Sequence, residues 1–204
     1  MTIRRGEDWG WTAPLPEDGV ICRTDAEARA VVEECRRAQT PVPSLGLTGG
    51  DVWAALGSPT GGEERLRSPV ARTVELDLGE VLIDGRIDWF VAHLVARRSW
   101  WRGPVVAAMN AEWLGRWRVA PRAHPNDGKL DVIEGDLPLA QRRLARRRLV
   151  TGDHLPHPLI RERRVAAAQF EFERPLDIRL DGDEVGRASR LSVRLELDAL
   201  TVVV

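Results

Sequence analysis

The sequence predicts an α+β fold that is mainly β, with a small α/β lobe ahead of a large many-stranded domain. Three observations predict it. Apolar residues recur at helical spacing in only a few short stretches, two of them before residue 60 and one basic stretch at 138–150. After residue 70 the apolar residues alternate instead, as in Thr73-Val74-Glu75-Leu76-Asp77-Leu78. Turn dipeptides such as Asp84-Gly85 and Asp181-Gly182 fall between the alternating runs.

The elements follow in order. Residues 1–19, rich in Pro, Gly and acid and carrying Trp9 and Trp11, read as an irregular lead-in. Val20-Ile21-Cys22 reads as a short strand. Thr24 or Asp25 then caps a helix over Ala26–Gln39, in which Ala28, Val31, Val32 and Cys35 share one face. Pro41 and Pro43 end it. A second short helix runs from Asp51 to Leu56, with Gly57 as its stop. Gly61-Gly62 and Ser68-Pro69 mark a loop, so residues 20–69 form the lobe and 70–204 the β domain. Strands follow at 73–78, at Val81-Leu82-Ile83 and Ile87–Leu94 about the Asp84-Gly85 turn, at Val105–Met109 and at Leu130–Ile133. Pro138–Val150 is the basic helix. Phe170–Phe172, Leu176–Leu180 and Leu191–Leu197 complete a β-sandwich-like set.

Composition narrows the function. The chain is 43% hydrophobic, which is enough to bury a core. A formal net charge of -1 argues against a globally basic nucleic-acid binder. Cys22 and Cys35 read as reduced thiols of a cytoplasmic protein, with no CxxC metal pair. Met1–Gly10 carries charges in place of a signal-peptide apolar stretch, and no run approaches the roughly 20 apolar residues of a membrane span.

Several short motifs carry chemistry. Thr48-Gly49-Gly50-Asp51 is a glycine turn into a helix, a place where backbone N–H groups can hold a phosphate or serve only the turn. Asp127-Gly128 and Asp181-Gly182 are turn-formers in isolation. Arg142, Arg143, Arg146, Arg147 and Arg148 stripe the basic helix. They offer either a solvated face or an anion site for a phosphorylated ligand or acidic membrane surface. His154 and His157 lie nearby without a third metal ligand at a recognisable spacing. Trp100, Trp101, Trp113 and Trp117 either pack the core or line an apolar ligand pocket.

The order and spacing of these motifs resemble the diacylglycerol kinase and sphingosine kinase type of lipid kinase, from about residue 40 to the C-terminus. Leu47-Thr48-Gly49-Gly50-Asp51 with Leu56-Gly57 resembles that family's Gly-Thr-Gly-Asn-Asp segment and its following Leu-Gly. Leu76-Asp77-Leu78-Gly79 resembles its Asp-Leu-Gly strand. Ala120-Pro121-Arg122-Ala123 followed by Asp127-Gly128-Lys129-Leu130-Asp131 resembles its Ala-Pro to Asp-Gly-x-Leu-Asp stretch. Gly152-Asp153-His154 resembles its Gly-x-His, and Leu180-Asp181-Gly182-Asp183 its late Asp-Gly-Glu. The resemblance implies the family's C-terminal β-sandwich with a remnant of its first lobe. It implies Asp183 as the position of the general base and Asp51 as part of the catalytic network. It also implies Thr48, Gly49, Gly50 and His154 as ligand-binding positions, to which the basic stripe adds Arg146, and Asp127 as the position of a Mg²⁺ ligand together with nearby backbone carbonyls.

The departures bear on activity. Where the family carries its nucleotide-binding Gly-Gly-Asp-Gly-Thr loop, this sequence has Cys22-Arg23-Thr24-Asp25-Ala26, without the glycines that allow close phosphate approach. The βα units expected ahead of that loop are absent, and the segment between Asp-Leu-Gly and Ala-Pro is short. Gly50 stands where the family has Asn. ATP therefore has no visible carrier. Two readings result. One is a non-catalytic protein that binds a lipid or a phosphorylated small molecule, self-associating as a homodimer. The other is a lipid kinase, minimal or completed by a partner chain.

Overall fold

The computed structural model describes residues 9–204. Of these, 44% are strand and 17% helix, so the molecule is mainly β as the alternation requires. The first eight residues of the expected lead-in lie outside the described residues. Beyond them the lead-in is not wholly irregular: Trp11–Thr12 forms a two-residue strand, β1, along β4 (Arg72–Ile83).

The lobe consists of β2 (Val20–Cys22), α1 (Asp25–Ala38), β3 (Leu45–Leu47) and two short helices, α2 (Asp51–Ala55) and α3 (Gly62–Leu66). Thr24 caps α1, its Oγ1 accepting the Glu27 N–H at 3.1 Å, while Glu27 reaches back to the Arg23 N–H at 2.7 Å. The two bonds together secure the first turn of α1 and the residue before it. Gln39 takes a left-handed conformation and closes the helix. β2 and β3 run parallel, and β3 pairs in parallel with the end of β13 (Asp183–Val203), so the lobe's strands extend the main sheet.

The main sheet has eleven strands, with a path β1-β4-β13-β12-β6-β7-β10-β11, where β6 is His93–Arg97, β7 Val105–Met109, β10 Leu130–Gly135, β11 Ile160–Val165 and β12 Ala167–Leu180. β5 (Arg86–Phe90) flanks β4. The alternating runs at 73–78 and 81–83 are one strand, β4. Phe170–Phe172 and Leu176–Leu180 are likewise one strand, β12, with a register shift between Glu171 and Leu176. The expected strand 87–94 divides into β5 and β6. The break at Val91-Ala92 exists because Asp181 takes up the N–H groups there.

One core lies between the strands, centred on Phe90, Leu94, Leu130, Ile178 and Leu180. A second lies under α1 and α2. A third lies on the outer face of β7 and β10, under α4 (Leu139–Arg148) and the β8–β9 hairpin (Trp113–Leu114, Trp117–Arg118). Gly79 in β4 is dictated by the first core, since a Cβ there would stand 2.3 Å from the Phe90 ring. Asp77 has a structural task. Its carboxylate accepts N–H groups from Gly128 at 2.8 Å and Asp198 at 3.0 Å, which holds the Asp127-Gly128 turn against β13.

Candidate functional site

Two sites are built where the lobe and the outer helix meet the sheet. The first is a polar junction. Asp25, at the start of α1, is buried and turns its carboxylate onto the N-terminus of α2, accepting the N–H groups of Asp51 and Val52. Gly50 is required by this approach: its φ is 100°, and a Cβ would lie 2.6 Å from Asp25 Oδ1. At Gly49 a Cβ would meet the Arg23 carbonyl at 2.4 Å. Asp51 Oδ2 lies 2.9 Å from His93 Nε2, and Asp51 Oδ1 accepts the Gly115 N–H at 2.9 Å. The backbone N–H of His93 donates to Asp181, whose carboxylate also takes the backbone N–H groups of Val91 and Ala92. Arg29 closes the chain, with Nε 3.8 Å from Asp181 and Nη2 2.7 Å from Asp183. Its Nη1 pairs with Glu33, one turn along α1.

The electrostatics follow from burial against these partners. Burial, then the Asp181 charge, pushes the Asp25 carboxyl from its ordinary 3.8 up to about 7. Burial alone would raise Asp51, but the His93 hydrogen bond and the Gly115 amide outweigh it and hold it below the usual carboxylate range. Burial would depress His93, yet the Asp51 hydrogen bond and the charges of Asp181, Asp51 and Asp25 raise it. Asp181 is raised by complete burial despite His93 and three amides.

The second site is apolar. A cavity of about 120 Å³ lies between α4 and the outer face of β7 and β10, walled by Trp100, Leu114, Trp117, Val119, Ile133 and Leu149. The two indoles meet edge to face, with centroids 5.4 Å apart. Arg142 and Arg146 project from α4 onto the same cavity. Arg146 lies over Trp101 and Trp117, at 4.9 and 5.0 Å from their ring centroids. His154 is buried at the cavity wall, near the Val119 and Gly152 carbonyls but with neither ring nitrogen in hydrogen-bond geometry. Gly152 at φ 80° packs on Pro121, where a Cβ would meet Cγ at 2.8 Å. The two sites touch, because the Gly115 amide held by Asp51 sits at the tip of the hairpin that carries Leu114 and Trp117.

The family model for the YegS C-terminal NAD kinase beta sandwich-like domain matches residues 80–204. The chain belongs to that family. No curated protein matches it by sequence. Among solved structures, two whose names mark the assignment as provisional are described as a diacylglycerol kinase from Bacillus anthracis str. Sterne. They superpose with TM-scores of 0.72 and 0.68 at 13% and 14% identity, over 91% of this chain and 77% of theirs. A third, described as a diacylglycerol kinase from the same organism, gives 0.62 at 15% identity, over 91% of this chain and 75% of that one. At such identities the likeness is one of fold. It agrees with the resemblance of the motifs to the C-terminal domain of diacylglycerol kinase-like lipid kinases.

Within this YegS-type domain and its lobe, the sequence-predicted residues separate into three places. Asp51 and Asp183 reach the same polar junction, joined through His93, Asp181 and Arg29. Thr48, Gly49 and Gly50 form the turn before α2, with the Thr48 N–H on the Cys22 carbonyl. The Asp51 and Val52 amides that such a turn could offer to a phosphate are taken by Asp25, and the Arg23 amide by Glu27. Arg146 and His154 belong to the apolar cavity.

Asp127 stands apart in its own turn, accepting the Lys129 N–H at 3.0 Å and paired with Arg164, which also reaches Asp131. A divalent ion needs several hard oxygens. Here the positive charge beside Asp127 is a guanidinium, and among the described residues no three His, Cys, Asp or Glu side chains surround a cation position. A Mg²⁺ ion at this turn would have Asp127 as its one side-chain ligand, shared with Arg164, and would have to draw its remaining oxygens from backbone carbonyls.

Sequence reasoning missed Asp25, Arg29, His93 and Asp181 as members of one network. A lone histidine inside the apolar run Val91-Ala92-His93-Leu94-Val95 was the one local signal.

Proposed function

We propose that this chain is a non-catalytic lipid-binding protein that holds a short apolar segment of its ligand in the cavity under α4, with any anionic group of the ligand directed to Arg146. The carrying observation is the cavity itself. Its wall is almost wholly hydrocarbon and indole, and its cations are on one side, the arrangement that suits an amphiphile. A phosphorylated small molecule without an apolar part would leave the indole wall unused.

The polar junction supports the absence of phosphoryl transfer. Such transfer rests on donors preorganised around nucleotide phosphates. Here the first amides of α2 are held by the Asp25 carboxylate and the Arg23 amide ahead of α1 by Glu27, and Asp183 is paired with Arg29. A general base must be free to take a proton from the hydroxyl it activates. The kinase reading draws on one observation, the convergence of Asp51 and Asp183, and Mg-ATP titration by calorimetry separates the two.

The lipid reading is tested with phospholipids brominated along the acyl chain. Bromine quenches tryptophan at short range, so emission from Trp100 and Trp117 falls as the cavity fills. Trp100→Phe/Trp117→Phe removes most of the quenchable signal, whereas Trp53→Phe, on α2, leaves it. Quenching carried by Trp53 and not by Trp100 and Trp117 would contradict the site.

A further inference from the structure

We infer that the outer face of α4 and its surroundings form a docking surface for an anionic lipid bilayer, which brings the mouth of the cavity to its ligand. The inference rests on the lipid-binding reading for its purpose but on separate residues for its evidence.

The first observation is apolar. Trp101, Leu139 and Leu144 are each 46–47% exposed, the two leucines on α4 and Trp101 beside its start. Trp101 and Leu139 share a shallow surface groove beside the cavity. Leu144 stands on the outer face of α4, opposite the cavity-lining Arg142, Ala145 and Leu149. Large apolar side chains gathered on one surface mark an interaction site.

The second observation is charge. α4 carries five arginines and no acidic residue. Arg142 pairs with Asp136, and Arg146 covers the indoles of Trp101 and Trp117. Arg143, Arg147 and Arg148 have exposed side chains and no ion-pair partner among the described residues. The acids nearby are already engaged: Asp136 by Arg142, and Asp153 by the Thr151 hydroxyl at 2.6 Å. Unpaired arginines interleaved with exposed leucines on one helix face are complementary to a surface that is anionic outside and apolar just beneath. A water-soluble anionic partner would leave Trp101, Leu139 and Leu144 unburied. A purely apolar partner would have to desolvate three guanidinium groups.

The experiment is vesicle co-sedimentation of the full chain, with phosphatidylcholine alone and with phosphatidylcholine plus phosphatidylserine. Binding is expected on the mixed vesicles, weak on the neutral ones, and reduced by added salt. Each basic residue near an anionic surface contributes about fivefold in partitioning, so Arg143→Gln/Arg147→Gln/Arg148→Gln is expected to lower it by roughly a hundredfold. Leu144→Ser lowers it with little change in salt dependence. Ala145→Phe, which fills the cavity from the inner face of α4, is expected to keep vesicle binding and lose acyl-chain quenching. The triple arginine variant does the reverse for lipid offered in detergent. Equal binding to neutral and mixed vesicles would overturn the inference. So would binding to neither with quenching intact, binding to a DNA oligonucleotide in place of vesicles, or a dimer in solution that the same substitutions dissociate.

Discussion

Arg29 illustrates how much one residue decides at the junction. Its side chain is nearly buried between Glu33, Asp181 and Asp183, and it neutralises acids from its own helix and from the distant turn at 181–183. Removing one partner of a buried pair leaves an uncompensated charge, at a cost of about 3–5 kcal/mol. Arg29→Gln is therefore expected to lower stability to urea by roughly 3 kcal/mol. Asp183→Asn removes the exposed end of the network, with a side chain 61% accessible, and is expected to cost under about 1 kcal/mol. Asp25 adds a pH dependence of definite sign. The folded state keeps the Asp25 proton up to about 7, whereas the unfolded chain loses it near 3.8, so this residue's contribution falls as pH rises through that window. His93, raised by Asp51, Asp181 and Asp25, acts in the same direction at higher pH, and its support disappears as pH passes its folded value. Asp51, held low, opposes them, and its support is lost as pH falls. The midpoint difference between wild type and Asp25→Asn, measured by thermal melts across this range, should shift against the wild type as pH rises. A pH-independent difference would contradict the assignment.

At the scale of elements, the packing of β4 against β5 depends on Gly79. A methyl group there meets the Phe90 ring at 2.3 Å, so Gly79→Ala overpacks the first core and is expected to cost about 1–3 kcal/mol. Phe90→Leu alone leaves a cavity, and the double variant should be less destabilised than the sum of the two, a coupling read from a double-mutant cycle. The elements were largely legible in the sequence, because their signals are local. Thr24 announces the start of α1, Asp84-Gly85 and Asp181-Gly182 announce hairpins, and alternation announces β4, β12 and β13. The exceptions have physical reasons. β11, with the sequence Ile160-Arg161-Glu162-Arg163-Arg164-Val165, has charges on both faces, and its arginines pair with Glu134, Asp127 and Asp131 outside its own strand. The 87–94 run is interrupted by a carboxylate from residue 181, which no local pattern reports.

At the scale of the molecule, the motifs first read as chemistry prove to hold architecture as well. Asp77 fastens the Asp127-Gly128 turn, Gly152 seats on Pro121, and Asp51 fixes the hairpin that walls the cavity. The junction and the cavity are consequently mechanically joined. Asp51→Ala is expected to loosen the Leu114 and Trp117 wall and to weaken acyl-chain binding several-fold, with the Trp100–Trp117 emission shifted toward that of exposed indoles. The sequence placed Asp51 and Asp183 by resemblance, but the partners that occupy them, Arg29 and His93, come from distant segments that only the folded chain brings together. Those partners are the reason the junction is read as a support for a binding cavity and not as a kinase centre. The most direct test is an assay with labelled ATP, Mg²⁺ and a panel of diacylglycerols, sphingoid bases and phospholipids. No phosphorylated lipid above background is predicted, for the wild type and for Asp183→Asn alike. Robust product from the wild type that disappears in Asp183→Asn would contradict the account.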